Sequence, residues 1–293
     1  GAHAEVCLNA LEAGKNVHVE KPLAVTREDG RKILKKAEEK NLLIGAAPDT
    51  FMGGGLQTCR KLIDDGWIGK PVSAAAFMLC HGHESWHPAP EFYYQLGGGP
   101  MFDMGPYYLT ALVSLIGPAK RVTGSTGMAF KERTITSQPK YGKKVDVEVP
   151  THINGVIDFE NGAIGNIITS FDVWGSQVPR IEVHGTEGSL SVPDPNQFGG
   201  SVHIKKPGYE EWKQVPLSHG YRDNSRGIGV ADMAYAIRYD REHRANGEMA
   251  YHILDMMHGF HDSSDTSKHI ELESSCRQPQ PLPMGLVDGL LDK

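Results

Sequence analysis

Four cysteines are few for 293 residues, and Cys7, Cys59, Cys80 and Cys276 form no C-x-x-C pair. A disulfide framework is therefore excluded, and free, mostly buried thiols in a reducing cytoplasm are expected. No apolar run approaches the roughly 20 residues that span a bilayer. The longest, Leu109 to Ile116, is interrupted by Thr110 and Ser114. No Lys/Arg-rich block occurs, and the net charge is -6, which disfavours nucleic acid as the main partner. No secretory signal is recognisable, and the first residue is not Met, so the start is not read as a native N-terminus. Internal repeats and low-complexity tracts are also missing. What remains is ordinary: 39% hydrophobic and 23% charged residues, as in a globular protein of one large or two medium domains.

Local patterns supply the architecture. Ala4, Cys7, Leu8 and Leu11 keep helical spacing, with Gly14 as a stop. Val17 and Val19 form a strand leading into Glu20. Thr26 begins a helix with Asp29 at the capping-box distance and Glu28–Lys32 as an i,i+4 pair. Ile33, Leu34 and Ala37 make its buried stripe, Asn41 ends it, and Leu42-Leu43-Ile44 reads as a short buried strand. Helix, strand, helix, strand is the tail of a doubly wound α/β unit. From about Ala47 the character changes. Gly53-Gly54-Gly55 is expected to loosen the chain before a helix over 56–65. Strands follow at 72–80, 151–159 and 163–171, the last two around the turn signal Asn161-Gly162. Further strands are expected at 180–184, 189–192 and 202–205, then helices over 230–243 and 249–261. The Pro-rich end, Gln278 to Pro283, reads as irregular chain wrapping the surface.

Two motifs carry chemistry. Glu20-Lys21-Pro22 ends the first strand, so it sets an ammonium at the carboxyl edge of a sheet, where open α/β sheets bind ligands. Further on comes Gly97-Gly98-Gly99-Pro100-Met101-Phe102-Asp103-Met104-Gly105-Pro106-Tyr107. Asp103 and Tyr107, four apart, would share a helix face. The glycines would let backbone approach a ligand. A lysine ammonium near a tyrosine favours the phenolate, so Lys21, Asp103 and Tyr107 make sense as one acid–base group. Each has a plainer alternative: a surface lysine, a helix N-cap and a packed core tyrosine. Trp86, His87 and Tyr93, in a Gly/Pro-rich loop, suit contact with a sugar. His81 and His83 would lie on one side of a strand and with His87 offer an alternative zinc site, although no fourth ligand is evident.

The run A-L-E-A-G-K-N-V-H-V-E-K-P-L over 10–23, the segment 97–117 and, more weakly, 66–71 and Gly185-Thr186-Glu187-Gly188-Ser189-Leu190 resemble the Gfo/Idh/MocA family of NAD(P)-dependent sugar and polyol oxidoreductases. Tyr107 stands where most of that family has His in D-x-G-x-H; some branches have Tyr. The resemblance implies the C-terminal part of a Rossmann-type domain over 1–48. An α+β domain with a large, mostly antiparallel sheet for substrate and oligomer contacts would follow over 49–293. It implies hydride transfer between NAD or NADP and a sugar, polyol or related CH–OH substrate, with Lys21, Asp103 and Tyr107 catalytic and no metal. Glu20, Lys21 and Pro22 would meet the cofactor. A cytoplasmic homo-oligomer, dimer or tetramer, with no nucleic-acid or membrane partner is also implied. Asp49 and Thr50 fall where the family has residues near the nicotinamide, but the flanking Gly45 to Pro48 does not match. The glycine-rich dinucleotide loop does not occur in the sequence, so this chain alone is expected to bind the cofactor poorly and to be inactive. Alternatives are an NAD-using glycosidase or lyase of the same family, or a non-catalytic sugar-binding or oligomerising module.

Overall fold

In a computed structural model, residues 2–293 are described. The N-terminal unit comprises helix α1 (His3–Glu12), strand β1 (Val17–Val19), helix α2 (Arg27–Lys40) and strand β2 (Ile44–Ala46). Each boundary has a local cause. The Thr26 hydroxyl accepts the Asp29 N–H at 3.1 Å and starts α2. Asn41, left-handed at φ 52, ends it. The N–H of Leu42 also returns to Ala37, so β2 begins at Ile44 rather than at Leu42 as the apolar run predicts. β1 and β2 pair in parallel, with Val17 opposite Ile44.

A 3-10 turn (Thr50–Met52) leads into α3 (Gly54–Asp64). The glycines before it do not loosen the chain. All three are buried, and a Cβ on Gly53, Gly54 or Gly55 would come within 2.6 Å of backbone at Phe198, Gly220 or Gly199. They let two backbones touch.

Strand β3 (Pro71–Leu79) precedes a second 3-10 turn (Pro90–Tyr94), then α4 (Gly99–Asp103), α5 (Gly105–Ile116) and β4 (Ala119–Gly127). A small hairpin, β5 (Glu132–Thr134) and β6 (Lys144–Asp146), stands apart. β7 (His152–Phe159) and β8 (Ile164–Ser170) are joined as a hairpin; Gly162 takes φ 90 but Asn161 does not enter the left-handed region, so the turn is not the type I′ form that Asn-Gly favours. β9 (Ile181–Gly185), β10 (Ser189–Val192), β11 (Val202–Lys205), β12 (Lys213–Val215), α6 (Ile228–Tyr239), α7 (Gly247–Thr266) and β13 (Ile270–Glu271) complete the chain. Nine strands form one sheet in the order β12-β11-β10-β9-β3-β8-β7-β4-β13. Only β3 and β8 run parallel; every other neighbouring pair is antiparallel.

One face of the sheet is buried, through Ala74, Ala76, Ile153, Ile157, Ile167 and Val183. Helices α3, α5 and α7 cover it. α7 also packs on α2 and β2, and the Ala46 N–H donates to Ala245 at 3.1 Å. Among the described residues no helix is long and apolar enough to cross a membrane.

Candidate functional site

α5 is the central helix, and of its twelve residues only Tyr107 is not buried. Asp103 is the last residue of α4, not part of the same helix as Tyr107. Pro106, one residue into α5, has no N–H to continue the α4 ladder, and the chain breaks at Met104. The Asp103 carboxylate caps nothing: α5 has no side-chain cap. It is aimed across at Lys21.

Lys21 follows β1, and its Nζ lies 2.8 Å from Asp103 Oδ1 and also donates to the Asp103 carbonyl. The second carboxylate oxygen, Oδ2, is 3.0 Å from His83 Nε2. Each carboxylate oxygen thus has a partner within the protein, and Asp103 fixes both Lys21 and His83 while still lining the cleft. Burial pushes the Asp103 pKa up, but the His83 hydrogen bond and the Lys21 charge outweigh it and hold the carboxyl below the usual range. The Lys21 ammonium stands 5.4 Å from the centre of the Tyr107 ring.

These four line a cleft of about 480 Å³ together with Trp86 and Tyr93. Tyr93 packs edge-on against His83, ring centroids 4.3 Å apart. Burial, then the nearby Asp103 and Tyr107, push its hydroxyl to about 12, which removes it as an acid or base at neutral pH. Burial likewise pushes Tyr108 to about 12 and raises the Cys80 thiol, leaving both inert. The far wall comes from loops without any sequence motif. Arg180 lies 3.7 Å from Asp194 and Arg226 donates to Asn196 at 2.6 Å.

Other expectations fail at specific places. His87 does not line the cleft. Its Nδ1 accepts the Ala89 N–H at 3.0 Å and its ring stands edge-on to Trp86, so it supports the loop. His81 and His83 do not share a side. Gly82 takes φ 76, and this left-handed residue turns the chain. His83 faces the cleft, while His81 stacks on Trp174 in a separate cavity. The three imidazoles thus part company, and among the described residues no group of three metal-ligating side chains occurs. Gly97-Gly98-Gly99 meet protein, not a ligand: a Cβ on Gly98 would lie 2.5 Å from the Phe92 carbonyl.

A smaller cavity of about 90 Å³ opens at the carboxyl ends of β1 and β2. Glu20, Ala47, Thr50 and Tyr107 line it, and Tyr107 and Arg226 border both cavities. The buried Asp49 carboxylate accepts the N–H groups of Gly227 at 2.8 Å and Gly229 at 3.0 Å, fixing the start of α6. Pro22 lines neither cavity; it borders a small apolar void with Leu23, Ala46 and Pro48.

A parallel strand–helix–strand unit whose strand ends face an ion-paired lysine, seated on a large mixed sheet, defines an α/β protein with Rossmann-type and sheet parts. Residues 1–47 match the oxidoreductase family with the NAD-binding Rossmann fold, and residues 56–191 match the GFO/IDH/MocA C-terminal domain. The chain belongs to the Gfo/Idh/MocA oxidoreductase family. It is 27% identical over 205 residues to levoglucosan dehydrogenase of Pseudarthrobacter phenanthrenivorans, covering 64% of this chain and 52% of that protein. It is 29% identical over 211 residues to 1,5-anhydro-D-fructose reductase of Ensifer adhaerens, covering 70% and 56%. The chain spans about half the length of the curated relatives it matches. Its fold matches the crystal structure of an NAD binding oxidoreductase from Klebsiella pneumoniae with a TM-score of 0.79 at 20% identity, over 94% of this chain and 78% of that one.

Proposed function

We propose that this chain carries the substrate side of an NAD(P)-dependent oxidoreductase acting on a CH–OH group of a sugar or polyol. The observation that carries it is the Lys21–Asp103–His83 chain set beneath Tyr107 in the larger cleft. The relatives named levoglucosan dehydrogenase and 1,5-anhydro-D-fructose reductase support the substrate class.

The residues present fit the ring end of a nicotinamide cofactor. The smaller cavity lies at the strand ends where doubly wound sheets bind dinucleotides, and it meets the substrate cleft at Tyr107. When bound, a nicotinamide supplies a hydride acceptor or donor. The chain's own groups handle the proton. Tyr107 takes it from the reacting hydroxyl, or returns it in the reverse direction. The Lys21 ammonium stabilises the negative charge that develops on the phenol oxygen. Asp103 fixes Lys21, and His83 fixes Asp103. Trp86 and Tyr93 offer ring faces to the sugar. Glu20 and Thr50 border the cofactor side.

The outer face of the sheet, with Val156 and Ile164 40% and 52% exposed, is the surface through which subunits would associate. Val156→Arg should then lower the mass measured by light scattering.

The decisive assay uses the protein as its gene encodes it, with NAD+ or NADP+ and a panel of sugars. Tyr107→Phe should lower turnover about 10²–10⁴-fold, the range of a lost general acid–base group, with cofactor affinity unchanged. Turnover within twofold of wild type would remove Tyr107 from the mechanism. Product formed with no net cofactor reduction would point instead to a glycosidase or lyase.

A further inference from the structure

A second cavity, of about 410 Å³, lies across the His81–Glu84 segment from the substrate cleft. Gly82 borders both, so the two cavities are neighbours. One aromatic side chain of this cavity is unusually exposed: Trp174 is 83% accessible, beside Phe130 at 43%. Leaving that much indole in water is unfavourable for a globular protein unless something covers it.

These rings are already fixed. His81 stacks on Trp174 with centroids 3.4 Å apart and planes 15° from parallel. Phe130 stands edge-on to His81 at 6.1 Å, and the Arg133 guanidinium lies 4.7 Å from the centre of Phe130. Arg133 is itself 4% exposed and held by Glu84 at 2.9 Å and by Asp172. A surface ordered in advance loses little entropy on binding.

The polar groups limit what fits. Ser85, Thr134 and Thr136 bring hydroxyls. Arg133 is matched by two carboxylates and Glu132 by Lys144 at 2.6 Å, which leaves an excess negative charge that repels anions. Burial and the neighbouring Arg133 push the His81 pKa down, so its ring is neutral beside Trp174. Flat ring faces, hydroxyls and no unpaired cation match a neutral pyranose, with its C–H face on an aromatic ring and its hydroxyls at the rim.

We infer that this cavity is a second sugar subsite, which holds the neighbouring ring of a disaccharide or longer glycoside whose reacting ring occupies the substrate cleft. It rests on the cleft being the sugar site proposed above. The two rings would lie either side of Gly82, one in the cavity lined by Trp86 and the other in the cavity lined by Trp174.

Binding tests this without the cofactor. Glucose, cellobiose, maltose and lactose would be titrated calorimetrically into the 293-residue chain, its Trp174→Ala variant and its Trp174→Phe variant. At least one disaccharide should bind ten-fold or more tightly than glucose. Trp174→Ala should erase that advantage with glucose affinity within twofold, and Trp174→Phe, which keeps a ring, should retain most of it. If no disaccharide binds more tightly than glucose, or if both Trp174 variants keep the full advantage, the subsite is refuted. Equal weakening of glucose and disaccharide by both variants also refutes it, since that is the mark of general disruption. Hydride transfer is measured separately, so a failed turnover assay with an intact disaccharide preference would overturn the reaction and leave the subsite standing.

Discussion

Asp103 sits among groups that pull on it in opposite directions, and its net depressed pKa makes a pH prediction. A carboxylate depressed in the folded state stabilises that state above its unfolded pKa, about 3.9. That stabilisation is lost as pH falls through the lower folded value. The stability gap between wild type and Asp103→Asn should therefore shrink below roughly pH 4 relative to its value at pH 5. Thermal melts of both proteins over that acid range would check it; a gap that widens on going below pH 4 contradicts the ion pair. Lys21, Asp103 and Tyr107 were legible because a strand end and a Gly-rich segment each flagged them. Nothing in the sequence marks His83 as a partner of Asp103. Its link to Asp103 spans 20 residues, and no local rule anticipates the turn at Gly82 that creates it.

At the scale of elements, legibility followed periodicity. α1, α2 and the β7–β8 hairpin fall within a residue or two of where capping and turn residues put them. Strands β4, β5, β6, β12 and β13 gave little signal. β4 reads Ala-Lys-Arg-Val-Thr-Gly-Ser-Thr-Gly, with almost no apolar alternation. It is a strand because α7 presses on it: a Cβ at Gly124 would come 2.4 Å from the Phe260 carbonyl. Tertiary packing decides such segments. β5 depends on Arg133, whose guanidinium also donates to the Phe171 carbonyl at 2.8 Å and so ties the small hairpin to the large sheet. Arg133→Met leaves Glu84 and Asp172 buried without a cation, at a cost of about 3–5 kcal/mol in urea unfolding. Adding Glu84→Gln and Asp172→Asn should recover part of that loss, because the uncompensated charges go with the carboxylates.

The whole molecule is stitched by its C-terminal segment. The C-terminal segment was expected to wrap the surface, and it does more. The Leu282 N–H donates to the buried Gln57 at 2.7 Å, Arg60 donates to the Pro279 carbonyl at 2.9 Å, and Asp292 lies 2.7 Å from Arg244. It thereby holds the 217–246 stretch, which carries Arg226 and the start of α6. Deleting residues 278–293 should lower stability by more than about 3 kcal/mol, since several buried polar groups lose partners at ~1–3 kcal/mol each. Hydrogen exchange should then quicken across 217–246 while β7 and β8 keep their protection. No sequence pattern announces these contacts, because carbonyls of an irregular strand carry no side-chain signature.

The Arg27 clasp adds a constraint in time. Arg27 Nη1 meets Asp262 at 2.5 Å across a separation of 235 residues, and its Nε meets Asp255 on the same helix. On a ribosome elongating at about 5–20 residues per second, α2 emerges roughly 12–47 s before the carboxylates that will hold it. Throughout that interval the apolar flank of α2, with Ile33 and Ala37, has no α7 to rest on. The nascent α/β unit therefore waits with part of its apolar surface uncovered until α7 has been made.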